Sequence, residues 1–222
     1  MNGRKNIPLS IFPFQMKQSL TGAILMCILT ISCNDRESKE KYASPVNPAF
    51  TKNDSFINRG KLLISDGDLV TRSDDDFESL SLQNFSQKDR TYSHSGIIFK
   101  EDSSWVVYHA IAGPENPAAS IRREPFDSFV DPLKKTGFGV FRYRLSPTEI
   151  DAFHSLYKNY YAQKLPFDKS FNLKTEDSMY CSEIIYKSLK KVTGNRVILP
   201  TSVLRNFKPK TGSAHFKNVF FK

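Results

Sequence analysis

Cysteine is scarce in this chain, with three in 222 residues. Cys27 lies inside an apolar N-terminal stretch, Cys33 closes that stretch, and Cys181 stands alone in the remainder. A lone thiol makes no intramolecular disulfide, so a disulfide framework is excluded. Long apolar runs are lacking too. Leu20–Ile31 holds about a dozen residues, where a bilayer-spanning helix needs roughly 20. There are four histidines, and no compact His/Cys ligand spacing, so neither a metal nor another cofactor is expected. Internal repeats, low-complexity blocks and any aromatic-basic stripe are absent, which argues against a solenoid and against nucleic-acid binding.

What is present begins with an export signal. Lys17 supplies a positive flank, Leu20–Ile31 the apolar run, and Ser32-Cys33 a small-residue cleavage point. Residues 1–33 resemble the signal peptide of a bacterial lipoprotein, in which Cys33 becomes the lipid-bearing first residue. Thr30 stands where such signals usually carry leucine. Met1–Gln15, with two prolines, Phe12 and Phe14, fits a signal poorly, and Met16 is the more ordinary start. Residues 34–48 are polar and read as a flexible tether. Residues 49–222 then form one domain around one core. The expected location is the bacterial cell envelope, lipid-anchored in the outer membrane or facing the periplasm.

Residues 1–33 carry three of the 32 basic residues and none of the 23 acidic ones, which leaves the mature chain at +6. The charges are scattered and lean towards the C-terminal end, from Lys187, Lys190 and Lys191 to Lys208, Lys210, Lys217 and Lys222. That pattern reads as solvated surface, with a weak attraction to anionic lipid or wall polymer as the alternative.

The pattern predicts a short helix over Phe50–Ile64, then the turn Asp66-Gly67-Asp68 into a strand Leu69–Arg72. Ser73–Arg90 reads as a loop. Tyr92–Lys100 and Ser104–Ile111 are strong strand candidates joined by a tight polar turn, hence a hairpin. Further strands are expected at Ala119–Pro125, Phe138–Leu145 and Asn218–Phe221. Ser146-Pro147-Thr148-Glu149 is a capping-box helix start. Ile150, Phe153, Tyr157, Tyr160 and Tyr161 recur on one side of that helix. A second helix is expected from Tyr180 or Cys181 to Val192, capped by Asp177 or Ser178 and stopped by Gly194. The sum is an α+β domain, an antiparallel sheet packed against helices.

Cys181 at a helix start would have its thiolate favoured by free amides and the helix dipole, and a neighbouring imidazole would activate it further. His94 and His109 fall on the two hairpin strands, within reach of one another if the turn is near Asp102. His154 is expected at the surface, and His215 has no arguable partner. Taken singly, Cys181 reads as a small core residue and each strand histidine as a satisfied ring. Jointly they fit the scheme of thiol, base and a group orienting that base.

Four segments occur in order: Gly67-Asp68-Leu69-Val70, Ser93-His94-Ser95-Gly96-Ile97-Ile98, Val107-Tyr108-His109-Ala110 and Tyr180-Cys181-Ser182-Glu183-Ile184-Ile185-Tyr186. Together they resemble the circularly permuted NlpC/P60 cysteine hydrolases of the YiiX/YebB type, or permuted papain-like amidases, over about residues 58–200. The histidine motif before the cysteine motif is the permuted order. The resemblance implies a circularly permuted papain-like fold. It implies Cys181 as nucleophile, His94 as general base and His109 as the residue holding the His94 ring, with Glu183 as structural support and Asp68 as part of a turn. The implied reaction is acyl transfer through a thioester. The implied substrate is a peptidoglycan peptide amide, or an acylated lipid acted on by a hydrolase or acyltransferase. A non-catalytic envelope binding module and a purely structural lipoprotein are the competing readings. A hyperreactive Cys181 and a convergence of Cys181, His94 and His109 would separate the enzyme from both. Amino-terminal sequencing of the precursor is expected to begin at Met16-Lys17-Gln18; a start at Met1 would overturn that reading.

Overall fold

The computed structural model describes residues 9–15, 48–74, 91–113, 116–133, 135–199, 201–203 and 219–221. Cys33, tether residues 34–47, the segment 75–90, His215 and the lysines from 208 onward lie outside them, and Pro48, read as the end of the tether, already opens a helix. Six strands form one antiparallel sheet in the order β1-β6-β2-β3-β4-β5: β1 Leu9–Gln15, β2 Leu69–Asp74, β3 His94–Glu101, β4 Ser104–Ala110, β5 Ile121–Pro125 and β6 Lys135–Arg142. The helices are α1 Pro48–Lys61, a single turn α2 Phe126–Phe129, α3 Pro147–Ala162 and α4 Cys181–Val192. A separate ribbon pairs β7, Thr201–Val203, with β8, Val219–Phe221. No helix among the described residues is long and apolar enough to cross a membrane. β1 falls inside the stretch read as an export signal; cleavage before Cys33 would remove it and leave β6 at the sheet edge.

Strand alternation divides the core into two layers, because successive side chains leave a strand on opposite faces. On one face Ile97, Phe99, Val106 and Tyr108 meet Phe153 and Tyr157 of α3 and Ile184, Ile185 and Leu189 of α4. On the other, Val70, Ile98 and Val107 meet Phe126, Phe129, Phe138 and, from α1, Ile57. Both layers therefore depend on β3 and β4, the central hairpin. Its register pairs Ile97 with Tyr108 and Glu101 with Ser104. Asp102 makes the turn at φ 52°, a left-handed conformation aspartate tolerates.

Local signals explain the helix starts. The Glu149 amide donates to Ser146 Oγ and the Ser146 amide to Glu149 Oε2, completing the expected capping box. α4 differs from expectation. Its N-cap is Tyr180, and neither Asp177 nor Ser178 caps it. Glu183 instead reaches back to accept the Tyr180 amide at 3.1 Å. Gly194 follows the helix at φ +55°, a conformation that suits glycine. The Asp66–Asp68 turn is pinned to β3 and β6: Asp66 Oδ1 accepts the Lys100 amide, and buried Asp68 takes two bonds from Arg142 at 2.8 Å each.

His154 is half-buried, not at the surface. Its ring stacks on Phe99 at 4.3 Å, and its Nε2 lies 2.8 Å from Glu101 Oε1. Its expected exposure came from its helical neighbours; the hairpin end wraps over that side of α3. Glu101 also accepts Tyr108 Oη at 2.6 Å and Arg123 Nε at 2.7 Å. Burial pushes its carboxyl up, but the Tyr108, His154 and Arg123 bonds outweigh this and hold it at about 2. A depressed folded value gives stability above the unfolded value near 4.5, lost as pH falls through about 2. Urea titrations between pH 6 and 2 are expected to lose up to about 3 kcal/mol from this group. Glu101→Gln should be weaker at neutral pH, with a shallower acid slope; an unchanged slope would exclude Glu101 as its source.

Candidate functional site

The site starts at the close approach of β3 and β4. A Cβ built on Gly96 would lie 2.6 Å from Val107 Cγ1, 2.9 Å from the Tyr108 carbonyl oxygen and 3.1 Å from His109 Cβ. No side chain fits there, so glycine lets the two histidines flanking this point come together. His94 Nε2 lies 2.7 Å from His109 Nδ1, with the rings edge-on at 76° and 4.9 Å between centroids. His109 is 0% exposed and His94 is half-buried. Both rings pack against Phe129, at 5.8 Å for His94 and 5.1 Å for His109. The expected pairing of the two strand histidines is thus present.

Below them is a charged cluster that the sequence reading missed. His94 stands opposite Arg72 of β2, and His109 opposite Arg122 of β5. Cross-strand partners share a face, so these cations flank the rings. His109 Nε2 lies 2.9 Å from Glu124 Oε1, whose other oxygen is 3.0 Å from Arg122 Nη2. Arg72 is 1% exposed; its guanidinium sits 4.6 Å from the Phe129 ring centre, bonds the Phe129 carbonyl at 3.2 Å and approaches Glu124 at 3.6 Å. Asp74 joins Arg72 at 3.4 Å to Lys135 at 3.0 Å. The signal was faint: opposite charges two apart, Arg122 and Glu124, on a strand beside the hairpin. Without the register, nothing said which face they shared.

Cys181 begins α4, as expected, and is a half-buried free thiol. It meets β3 at Ser95; the ring of the preceding residue, His94, leaves the strand on the opposite face, against Phe129, so the expected convergence joins His94 to His109 but not to the sulfur. The Ser95 backbone and side chain bond the sulfur, together with backbone groups of Ser182 and Cys181 itself. These donors favour the thiolate, yet burial outweighs them and pushes the thiol up, not down. The expected acidic, hyperreactive thiol is therefore corrected: the dipole and amides act, but desolvation is larger. Burial also holds His94 well below the usual imidazole range, helped by Arg72, His109 and Lys135. For His109, burial with Arg72 and Arg122 outweighs Glu124 and lowers it as well. At neutral pH the thiol and both rings are uncharged.

Glu183 is fully buried two residues into α4. Burial pushes its carboxyl up to about 7, against the pull of Lys187 at 2.9 Å and the Tyr180 amide. It braces the turn carrying Cys181, in keeping with a supporting role. A groove of about 440 Å³ runs along α4 between Tyr160, Leu173, Tyr186 and Lys190, and none of Cys181, His94 or His109 lines it.

No family model matches the sequence. No curated protein matches it either. Among solved structures the chain is similar to the metalloprotein YiiX from Escherichia coli O157:H7, with a TM-score of 0.55 at 19% identity, over 71% of this chain and 88% of that one. At that identity the likeness is one of fold. It agrees with the α+β class, an antiparallel sheet packed against helices, and with a permuted papain-like arrangement. The residues here do not fit a metal centre. The facing nitrogens of His94 and His109 are hydrogen-bonded to each other at 2.7 Å, closer than the roughly 3.3 Å that separates two donors on one tetrahedral ion. His109 Nε2 faces Glu124, and among the described residues no three His, Cys, Asp or Glu side chains converge as ligands.

Gly96→Ala should destabilise the fold by about 1–3 kcal/mol, because the strands must part to admit a methyl group. Equilibrium urea unfolding measures this. An unchanged midpoint would show that the β3–β4 contact is slack.

Proposed function

We propose that this chain is a cell-envelope cysteine hydrolase of the permuted NlpC/P60 type, cleaving a peptidoglycan-peptide amide through a thioester. The carrying observation is the His94–His109 contact at 2.7 Å, on a strand whose next residue, Ser95, holds the Cys181 thiol. Successive side chains leave a strand on opposite faces, so Ser95 meets the sulfur while the His94 ring lies with Phe129, and the approach of ring to sulfur belongs to this proposal.

Because the thiol is neutral at rest, ionisation accompanies attack. His94 takes the Cys181 proton as sulfur bonds to the substrate carbonyl. It then gives that proton to the leaving amine, and water hydrolyses the thioester with His94 again as base. His109 holds the His94 ring. The free amides at the start of α4 suit an oxyanion developing beside Cys181. In this reading residues 1–33 are removed, Cys33 anchors the protein to the membrane, and residues 34–48 give the domain reach towards the wall.

The test incubates the full chain in detergent with muropeptides and with acylated lipids in parallel, with products read by mass spectrometry. Muropeptide cleavage is expected, and Cys181→Ala should abolish it. His94→Ala should lower it by about 100-fold or more, the usual worth of a general base. Acyl release from lipid alone would move the substrate class to lipid or N-acyl groups. Wall-peptide binding without turnover, retained in Cys181→Ser, would leave a binding module. Full activity of His94→Ala would reject the base.

A further inference from the structure

Glu124 has no place in the thiol–imidazole scheme, yet it is buried, at 6% exposure, beside His109. Burying ions is costly, and apolar side chains would usually fill such a position at less cost. The cluster around the rings holds three cations, Arg72, Arg122 and Lys135, against two carboxylates, Asp74 and Glu124. Burial alone would push the Glu124 carboxyl up, but His109, Arg122 and Arg72 hold it below the usual range, so it is ionised at neutral pH.

We infer that Glu124 is the positioning residue that decides which nitrogen of His94 carries the proton. This rests on the hydrolase reading for its purpose, though not for its geometry. An ionised carboxylate only accepts. His109 Nε2 lies 2.9 Å from Glu124 Oε1, too close for two bare lone pairs in a buried site, so a neutral His109 carries its hydrogen on Nε2 although the contact is poorly aligned as a hydrogen bond. A neutral His109 then has a bare Nδ1. His94 Nε2, 2.7 Å away, must carry the hydrogen in that contact. A neutral His94 is left with a bare Nδ1, the one ring nitrogen with a lone pair to take a proton, which on the hydrolase reading comes from the thiol. In the attack, the S–H bond of Cys181 breaks, its proton goes to that lone pair, and the sulfur electrons form the bond to the substrate carbon. His94 becomes imidazolium, its Nε2–H still directed at His109. Glu124 meets that new charge through His109, in a cluster otherwise weighted towards cations.

Nitrogen-15 NMR of the full chain in detergent reads the tautomers directly. Both His94 and His109 are expected as Nε2–H tautomers; an Nδ1–H tautomer on His94 would overturn the inference without any mutant. In Glu124→Gln the amide NH2 can donate to His109 Nε2 and reverse both rings. The expected result is a visible Nδ1–H population on His94 and alkylation of Cys181 by iodoacetamide slowed by about tenfold at pH 7.5, in the range of other lost ring-orienting partners. Glu124→Asp, which keeps the charge, should restore the Nε2–H form and most of the rate. A folded Glu124→Gln with unchanged tautomers and an unchanged alkylation pH profile would refute the role. Alkylation of His94→Ala at the wild-type rate would instead count against the base assignment alone, since the tautomer readout needs no reaction.

Discussion

The contact between β3 and β4 at Gly96 is the constraint on which the rest depends. The strands come so close that a methyl group has no room. That approach sets the distance between His94 and His109. It also sets the register that sends Ile97 and Phe99 to one core layer and Ile98 and Val107 to the other. A slip by one residue would exchange the two layers and send both rings to the side of α3 and α4. The hydrophobic effect therefore protects the polar pair, because neither layer tolerates the exchange.

Desolvation dominates the electrostatics of the site. It raises the thiol and lowers both rings, and the helix-start amides at Cys181 moderate the outcome without reversing it. A resting thiolate–imidazolium pair is therefore disfavoured. The buried Arg72 works in the same direction on His94, while Glu124 works against it on His109. The site is held neutral by opposing forces of similar kind, and the carboxylate is the part that gives the rings a direction.

Much of this was legible in the sequence. The hairpin, the capping box at Ser146, the start of α4 at Cys181 and the proximity of the two histidines all follow from local patterns, which need neighbours only a few residues away. What was hidden depended on strand register and on burial. Glu124 and Arg72 look like ordinary strand charges until β2 and β5 are laid beside the hairpin. His154 looks exposed on its own helix until Phe99 stacks on it. Tyr180 is an unexpected cap: Glu183, three residues on, accepts the Tyr180 amide and so supplies the other half of a capping box. The thiol's acidity was misjudged for the same reason: the dipole can be read from position, whereas desolvation needs the packed neighbours.

The permuted order has a kinetic corollary. His94 and His109 are 15 residues apart and join through one hairpin turn, a local closure that costs little chain entropy. Cys181 arrives roughly 70 residues later, and its helix packs on a sheet that must already be paired. During synthesis the two rings can therefore pair while Cys181 is still in the ribosome. A truncated or stalled chain would carry the paired rings without Cys181, so the thiol of α4 joins last.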